Sequence, residues 1–200
     1  MREMEVKAVV PDEGMVRARL AAAGALPVFE GTLLDRRYDT PARTLTARDA
    51  VLRLRVQRAA AGDANARATI EFKGAASIVE GYKVREETGS VVDDAEALDA
   101  ILKSLGYEIT REVEREVAVF TVAGATVRLE RYPRMDVLVE VEGDAPQIER
   151  AIAVLALPRR AFTADALVTF VRRFEERTGQ RAAICRRELA GDYRFRVDDA

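Results

Sequence analysis

Residues 3–7 read EMEVK, which sets the charges of Glu3, Glu5 and Lys7 at every second position. Successive side chains of a strand point to opposite faces, so these three share one face while Met4 and Val6 turn to the other. Two carboxylates side by side repel, raise each other's pKa and weaken a sheet unless a cation or the solvent screens them. The plain explanation of one such stretch is a wet strand face, because antiparallel sheets commonly pack one side on a core and leave the other in water. The rest of the chain decides between that and something more specific.

The pattern returns near the other end. In MDVLVEVEG (135–143), Glu140 and Glu142 alternate with Val139 and Val141. Between the two, VLRLRVQR (51–58) puts Leu52, Leu54 and Val56 on one face and Arg53, Arg55 and Gln57 on the other. RATIEFKG (67–74) opposes Ile70 and Phe72 to Thr69, Glu71 and Lys73. EGYKVREETG (80–89) opposes Tyr82 and Val84 to Lys83, Arg85 and Glu87; a one-residue slip of register would exchange Glu87 for Glu86. ALPVFEGTLLDRRYDT (25–40), YEITREVEREVAVFTV (107–122) and ATVRLERY (125–132) read as further extended segments, and AAAGDANA (59–66) as a hairpin loop. Caps and apolar spacing predict helices in PDEGMVRARLAAAG (11–24), DDAEALDAILKSLG (93–106), APQIERAIAVLAL (145–157) and TADALVTFVRRFEERTG (163–179). The tail RRELAGDYRFRVDDA (186–200) is charged and without a clear period. One α+β domain dominated by an antiparallel sheet is expected.

Composition narrows the chemistry. With 200 residues the chain is long enough for a substantial core. A formal net charge of −2 argues against general attraction to nucleic acid or membrane, although a local basic cavity can hide inside a balanced total. No apolar run approaches a bilayer span, and the start MREMEVKAVV lacks a signal-peptide layout, so a cytoplasmic location is expected. The absence of histidine removes the commonest general base, and Cys185 alone allows no intrachain disulfide. No GxxxxGK or GxGxxG string occurs. Carboxylates, Lys, Arg, Tyr or an oxygen-held metal must carry whatever chemistry there is. Among 32 basic residues only Lys7, Lys73, Lys83 and Lys103 are lysine, a type kept where a compact charge is useful.

If the sheet closes with its apolar faces outward beneath helices, the charged faces meet in a polar lumen. Such a lumen suits a polyanion beside a metal. Glu3, Glu5, Glu140 and Glu142 offer hard oxygen ligands for Mg²⁺ or Mn²⁺, and Arg53, Arg55, Lys73 and Arg85 offer the contacts that phosphate oxygens prefer.

EMEVK resembles the ExExK motif of the CYTH domain, a group of triphosphate tunnel metalloenzymes that includes class IV adenylyl cyclases, thiamine triphosphatases and inorganic triphosphatases. RRYDTPARTLTARDAVLRLR (36–55) is similar to that family's Tyr-Asp-Thr segment and LRxR strand, TIEFKG (69–74) to its lysine strand, and KVREE (83–87) to its RxE strand. LERYPRMDVLVEVEG (129–143) is similar to its closing stretch, with Glu130 where Asp is commoner. The resemblance implies a closed eight-stranded antiparallel β-barrel, or tunnel, with helices packed outside. It implies metal ligation by Glu3, Glu5, Glu130, Glu140 and Glu142, and substrate binding by Lys7, Arg53, Arg55, Lys73, Lys83, Arg85, Arg115 and Arg128. Lys7, Glu5 and Glu87 are the implied catalytic groups. The implied domain spans residues 1–178, followed by a C-terminal extension over 179–200.

The expected activity is divalent-metal-dependent hydrolysis of a triphosphate, inorganic tripolyphosphate first. The alternatives are a class IV adenylyl cyclase, disfavoured by the lack of an HFYTH-type string, and a non-catalytic polyphosphate or nucleotide binder. The expected partner is a triphosphate-containing small molecule, with neither nucleic acid nor membrane, and a homodimer is compatible with the resemblance. Arg111 and Arg131 read as solvated surface charges, and Tyr38 and Asp39 equally as turn and packing residues or as part of the site. Cys185 reads as inert, and Phe170 and Phe174 as core.

Overall fold

Alternation of apolar and charged residues is realised as strands whose apolar side faces out, under helices, and whose charged side faces in. The computed structural model describes residues 2–60 and 66–195. The hairpin loop expected over 59–66 lies mostly outside these. The strands are β1 (Arg2–Val9), β2 (Leu26–Asp39), β3 (Val51–Ala59), β4 (Arg67–Lys73), β5 (Ser77–Val79), β6 (Tyr82–Val92), β7 (Glu108–Val122), β8 (Ala125–Arg131) and β9 (Leu138–Glu142). Their order is β1-β9-β8-β7-β2-β3-β4-β6, with β5 attached to β6, and pairing of β1 with β6 closes the ring. All pairings are antiparallel. The architecture is therefore a closed eight-stranded barrel with one extra strand, and β5 is that extra strand, unforeseen in the sequence.

β1 is the seam. Glu5 has Lys83 of β6 as its Cα partner on one side and Glu142 of β9 on the other. Strand β2 is irregular at Pro27/Phe29 and Arg37/Tyr38. It also needs Gly31, where a Cβ would come within 2.1 Å of the Arg58 carbonyl oxygen on β3.

The helices are α1 (Glu13–Ala22), α2 (Ala95–Ser104), α3 (Ala145–Leu155), α4 (Leu167–Thr178) and α5 (Arg186–Leu189). Asp12, Asp94 and Asp144 cap the first three by accepting backbone N–H bonds, and Asp144 with Gln147 completes a capping box. Val6, Ala8, Val139 and Val141 on the outer face pack with Val16 and Leu20 of α1 and Ile148, Ile152 and Leu155 of α3. A second outer cluster gathers Leu54, Val56 and Ala68 with Leu102 of α2. Helix α4 is different, because its Phe170, Val171 and Phe174 cover Val113, Tyr132 and Leu138, which share the inward parity of the charged residues. It caps the lumen on that side, and the two phenylalanines are core as expected.

Beyond α4 the chain returns along the barrel. The Glu114 amide donates to the Ile184 carbonyl at 2.7 Å, and Arg134 and Ala183 exchange backbone bonds. Cys185 is buried there, its thiol pushed up by burial. No helix among the described residues is long and apolar enough to cross a membrane.

Candidate active site

The inward faces enclose a cavity of about 790 Å³. All fourteen residues singled out as metal, substrate or catalytic groups line it: Glu3, Glu5, Lys7, Arg53, Arg55, Lys73, Lys83, Arg85, Glu87, Arg115, Arg128, Glu130, Glu140 and Glu142. Register settles one ambiguity, since Glu87 faces the cavity beside Lys73 and Glu86 is exposed.

Ion pairs organise the wall. Lys7 stands 2.9 Å from Glu5 and 2.6 Å from Glu140, and Arg128 also pairs with Glu140. Burial opposes all four charges, but Glu140 and Glu5 hold the Lys7 ammonium above its usual value, and Lys7 with Arg128 holds Glu140 well below the carboxylate range. Lys83 reaches Glu5 at 2.8 Å, yet burial and neighbouring Lys7 pull its ammonium down. Arg85 bonds Asp49 at 2.5 Å, and Asp49 also accepts from the Ala76 amide near the exposed Ile78. Glu130 accepts from Arg115 at 2.7 Å and from the Tyr132 hydroxyl at 2.8 Å.

Besides Asp49, three charged lining residues went unrecognised in the sequence. Asp35 accepts from Arg55 through both oxygens, at 2.7 and 2.8 Å, and from Arg115 at 3.0 Å, with Arg53 at 3.4 Å. Glu71 binds Arg53, and Arg37 faces the same space. The available signal was parity: Leu33, Asp35 and Arg37 alternate with Leu34, Arg36 and Tyr38, although neither set is purely apolar.

One expectation is corrected. Arg111 is not a solvated charge; it is 2% exposed and lies 3.0 Å from Glu188 of α5. It shares the inward parity of Val113 and Arg115, and α5 supplies the carboxylate that makes its burial tolerable. Arg131 is exposed as expected, bonded to Glu13 and Glu116. Tyr38 donates to Asp99 of α2 at 2.6 Å, and Asp39 accepts from the Thr40, Leu45 and Thr46 amides, so both have packing and turn roles at the edge of the cavity.

No group of three or more His, Cys, Asp or Glu among the described residues is arranged as a metal cage. The donors are nonetheless of the kind that a hard divalent ion takes. Burial, a hydrogen bond with Glu87 and the nearby Glu142 outweigh Lys73 and push Glu3 up to about 8. A carboxyl pushed up by burial and by neighbouring carboxylates marks negative charge that a cation would relieve. The residues therefore fit a metal in donor chemistry, at Glu3, Glu87 and Glu142.

The family model for the CYTH domain matches residues 1–157. The chain belongs to the CYTH domain family. Members bind triphosphate compounds, are typically enzymes of the triphosphatase or cyclase type, and depend in general on a divalent metal. A candidate adenylate cyclase from Vibrio parahaemolyticus superposes with a TM-score of 0.70 at 20% identity, covering 85% of this chain and 97% of the other. A conserved hypothetical protein from Pyrococcus furiosus gives 0.67 at 19%, covering 84% and 99%. A Hippeastrum adenylyl cyclase candidate, described as having a dominant triphosphatase activity, gives 0.62 at 18%, covering 89% and 96%. At these identities the likeness establishes the fold. Among curated protein sequences none matches significantly.

Proposed function

We propose that the protein is a divalent-metal-dependent triphosphatase acting on inorganic tripolyphosphate or an organic triphosphate held in the tunnel. The observation that carries this reading is the juxtaposition, in one cavity, of the crowded carboxyls Glu3, Glu87 and Glu142 with a wall of Lys and Arg side chains. Glu3, Glu87 and Glu142 would hold the metal, with Glu5 and Glu140 completing the acidic side and Glu130 orienting Arg115. When bound, the ion would neutralise phosphate charge and activate water. Lys7, Arg53, Arg55, Lys73, Lys83, Arg85, Arg115 and Arg128 bind and orient the phosphate chain and stabilise charge on the departing phosphate. Glu5 is the carboxylate that orients the attacking water and takes its proton, with Glu87 holding the metal beside it. No histidine is required.

Incubation with tripolyphosphate or ATP and Mg²⁺ or Mn²⁺, followed by product analysis, tests this. Orthophosphate release is expected. Cyclic AMP with pyrophosphate would establish the cyclase reading instead, and tight binding without product across both metals would establish a binding module. The dominant triphosphatase activity ascribed to the Hippeastrum relative favours hydrolysis. Glu5→Gln and Glu142→Gln are expected to abolish turnover while the circular dichroism spectrum is kept. Full activity in Glu142→Gln refutes the metal assignment, and full activity in Glu5→Gln refutes Glu5 as the water-orienting carboxylate.

A further inference from the structure

Strand β5 is the part of the sheet that ring closure does not need. It continues the edge of β6 where β4 has stopped: residues 87–92 of β6 pair with β4, and 82–84 pair with β5. Ile78 of β5 has Lys83 as its Cα partner. Lys83 lines the cavity and reaches Glu5, so Ile78 stands on the inward face beside the cationic wall. Of the large apolar side chains that the described residues leave exposed, only Ile78 lines the cavity, and it is 61% exposed. An isoleucine in water at the edge of a charged site gains nothing from phosphate or metal. It gains from an apolar group that displaces the water over it.

Asp49 builds the rest of this lip. Its backbone is left-handed, at φ 50°, a conformation that Asp tolerates better than most residues. There one carboxylate oxygen accepts the Ala76 amide at 2.6 Å and the other accepts Arg85 at 2.5 Å. The turn before β3 is thereby tied to the approach to β5 and to the basic wall, and Ala50, Val51, Ala76 and Ile78 line the cavity together. The Asp49 side chain remains 59% exposed, an acceptor edge next to this apolar strip. The whole cavity, about 790 Å³, falls in the range that holds drug-sized organic molecules and exceeds what three phosphoryl groups fill. We propose that the lip made by β5 and the turn before β3 is a subsite for the organic group of an organic triphosphate, an apolar ring resting on Ile78 with its N–H donors or positive charge toward Asp49. This rests on the reading of the cavity as a triphosphate site, and it narrows the substrate from any triphosphate to a ring-bearing ester. The phosphates lie against Lys83, Arg85 and the basic wall beyond them, and the ring stays at the lip. Inorganic tripolyphosphate leaves Ile78 uncovered.

Calorimetric titration of the full chain without metal compares the four ribonucleoside triphosphates and thiamine triphosphate with methyl triphosphate, which carries the ester linkage but no ring. At least one ring-bearing compound is expected to bind about 5- to 30-fold more tightly than methyl triphosphate. Ile78→Ser is expected to bring that ratio close to one and Ile78→Leu to restore it. Neither should lower the melting temperature of the free protein, since the side chain is exposed. Ratios of KM measured with Mg²⁺ or Mn²⁺ should follow the affinities. A ratio near one in the wild type for every ring, or one that survives in Ile78→Ser, overturns the subsite. If orthophosphate leaves methyl triphosphate and tripolyphosphate as readily as every ring-bearing ester, the subsite fails and the triphosphatase reading stands. If the ratio is present and depends on Ile78 but no phosphate is released with either metal, the triphosphatase reading fails and the subsite stands.

Discussion

Asp35 is the residue on which the basic wall depends. Its two carboxylate oxygens receive Arg55 and Arg115, with Arg53 close by, and the side chain is almost wholly buried. Burial alone would raise its pKa; Arg55, Arg115 and Arg53 together outweigh burial and hold it well below the usual carboxylate value. A carboxyl whose folded pKa is depressed contributes stability that is fully present above its unfolded pKa, about 3.9, and that is lost as pH falls through the folded value. Asp35→Asn should therefore cost about 3–5 kcal/mol at neutral pH, the usual penalty for stranding buried cations, and should flatten the loss of stability below about pH 4. Urea unfolding at neutral and acid pH measures both, and a neutral-pH loss under about 1 kcal/mol, as for a surface ion pair, contradicts the assigned role. Asp35 escaped the sequence reading for a physical reason. In LLDRRY (33–38) both strand faces mix apolar and charged side chains, because the inner face must house buried Leu33 next to a charge network while the outer face carries Arg36 over α2. Arg111 escaped likewise: REVEREV (111–117) has Glu112, Glu114 and Glu116 outside and Arg111 and Arg115 inside, so charge alone does not reveal parity.

At the scale of elements, the eight barrel strands were legible because most of them are long and alternate with period two, and four of the helices because caps and apolar spacing agree. The three-residue β5 and four-residue α5 are shorter than any period can reveal, and tertiary pairing alone makes them. The segment from 182 to 189 is the more consequential of the two. Ala182 and Ile184 join α4 in the cluster over the inner-face residues Val113, Tyr132 and Leu138, and Glu188 neutralises Arg111. Nothing in RAAICRRELA (181–190) indicates this, since its partners on the barrel lie more than forty residues earlier. A chain ending at Thr178 should consequently melt at lower temperature, and the Glu114 amide, deprived of the Ile184 carbonyl, should exchange its proton faster. In the full chain, Ile184→Ala should cost about 2–5 kcal/mol, as for other buried aliphatic truncations. Denaturant unfolding of the point variant and hydrogen exchange of the truncated chain check the two, and an unchanged Glu114 exchange rate would show that the segment is merely appended.

For the whole molecule, the net charge of −2 conceals an interior in which lysines, arginines and the carboxylates of β1 and β9 meet. EMEVK is where this is decided, because β1 pairs with both β6 and β9 and so brings Glu3 and Glu5 against Lys83, Glu140 and Glu142. A wet, open sheet would leave those carboxylates apart; ring closure turns an alternating pattern into a site, which explains why the pattern was visible in the sequence and the partners of each charge were not. The closed wall is close to neutral as a sum but uneven in detail, with the Glu3 carboxyl pushed up by burial and by the neighbouring Glu87 and Glu142. An anion that binds only the folded barrel must raise its stability by mass action, by about 2.7 kcal/mol at a hundredfold excess over Kd. For a chain of this size that amounts to roughly 5–11 °C, at about 2–4 °C per kcal/mol. Tripolyphosphate should accordingly raise the melting temperature by this order at low ionic strength, inorganic phosphate by less because it reaches fewer of the cations, and added salt should shrink the gain only partly, since buried charges are poorly screened. Differential scanning fluorimetry of the wild-type chain reads all three. No shift with millimolar tripolyphosphate at low salt would mean that the lysines and arginines of the lumen are fully satisfied by their own carboxylates, and that the barrel is held together by its charges without offering them to a ligand.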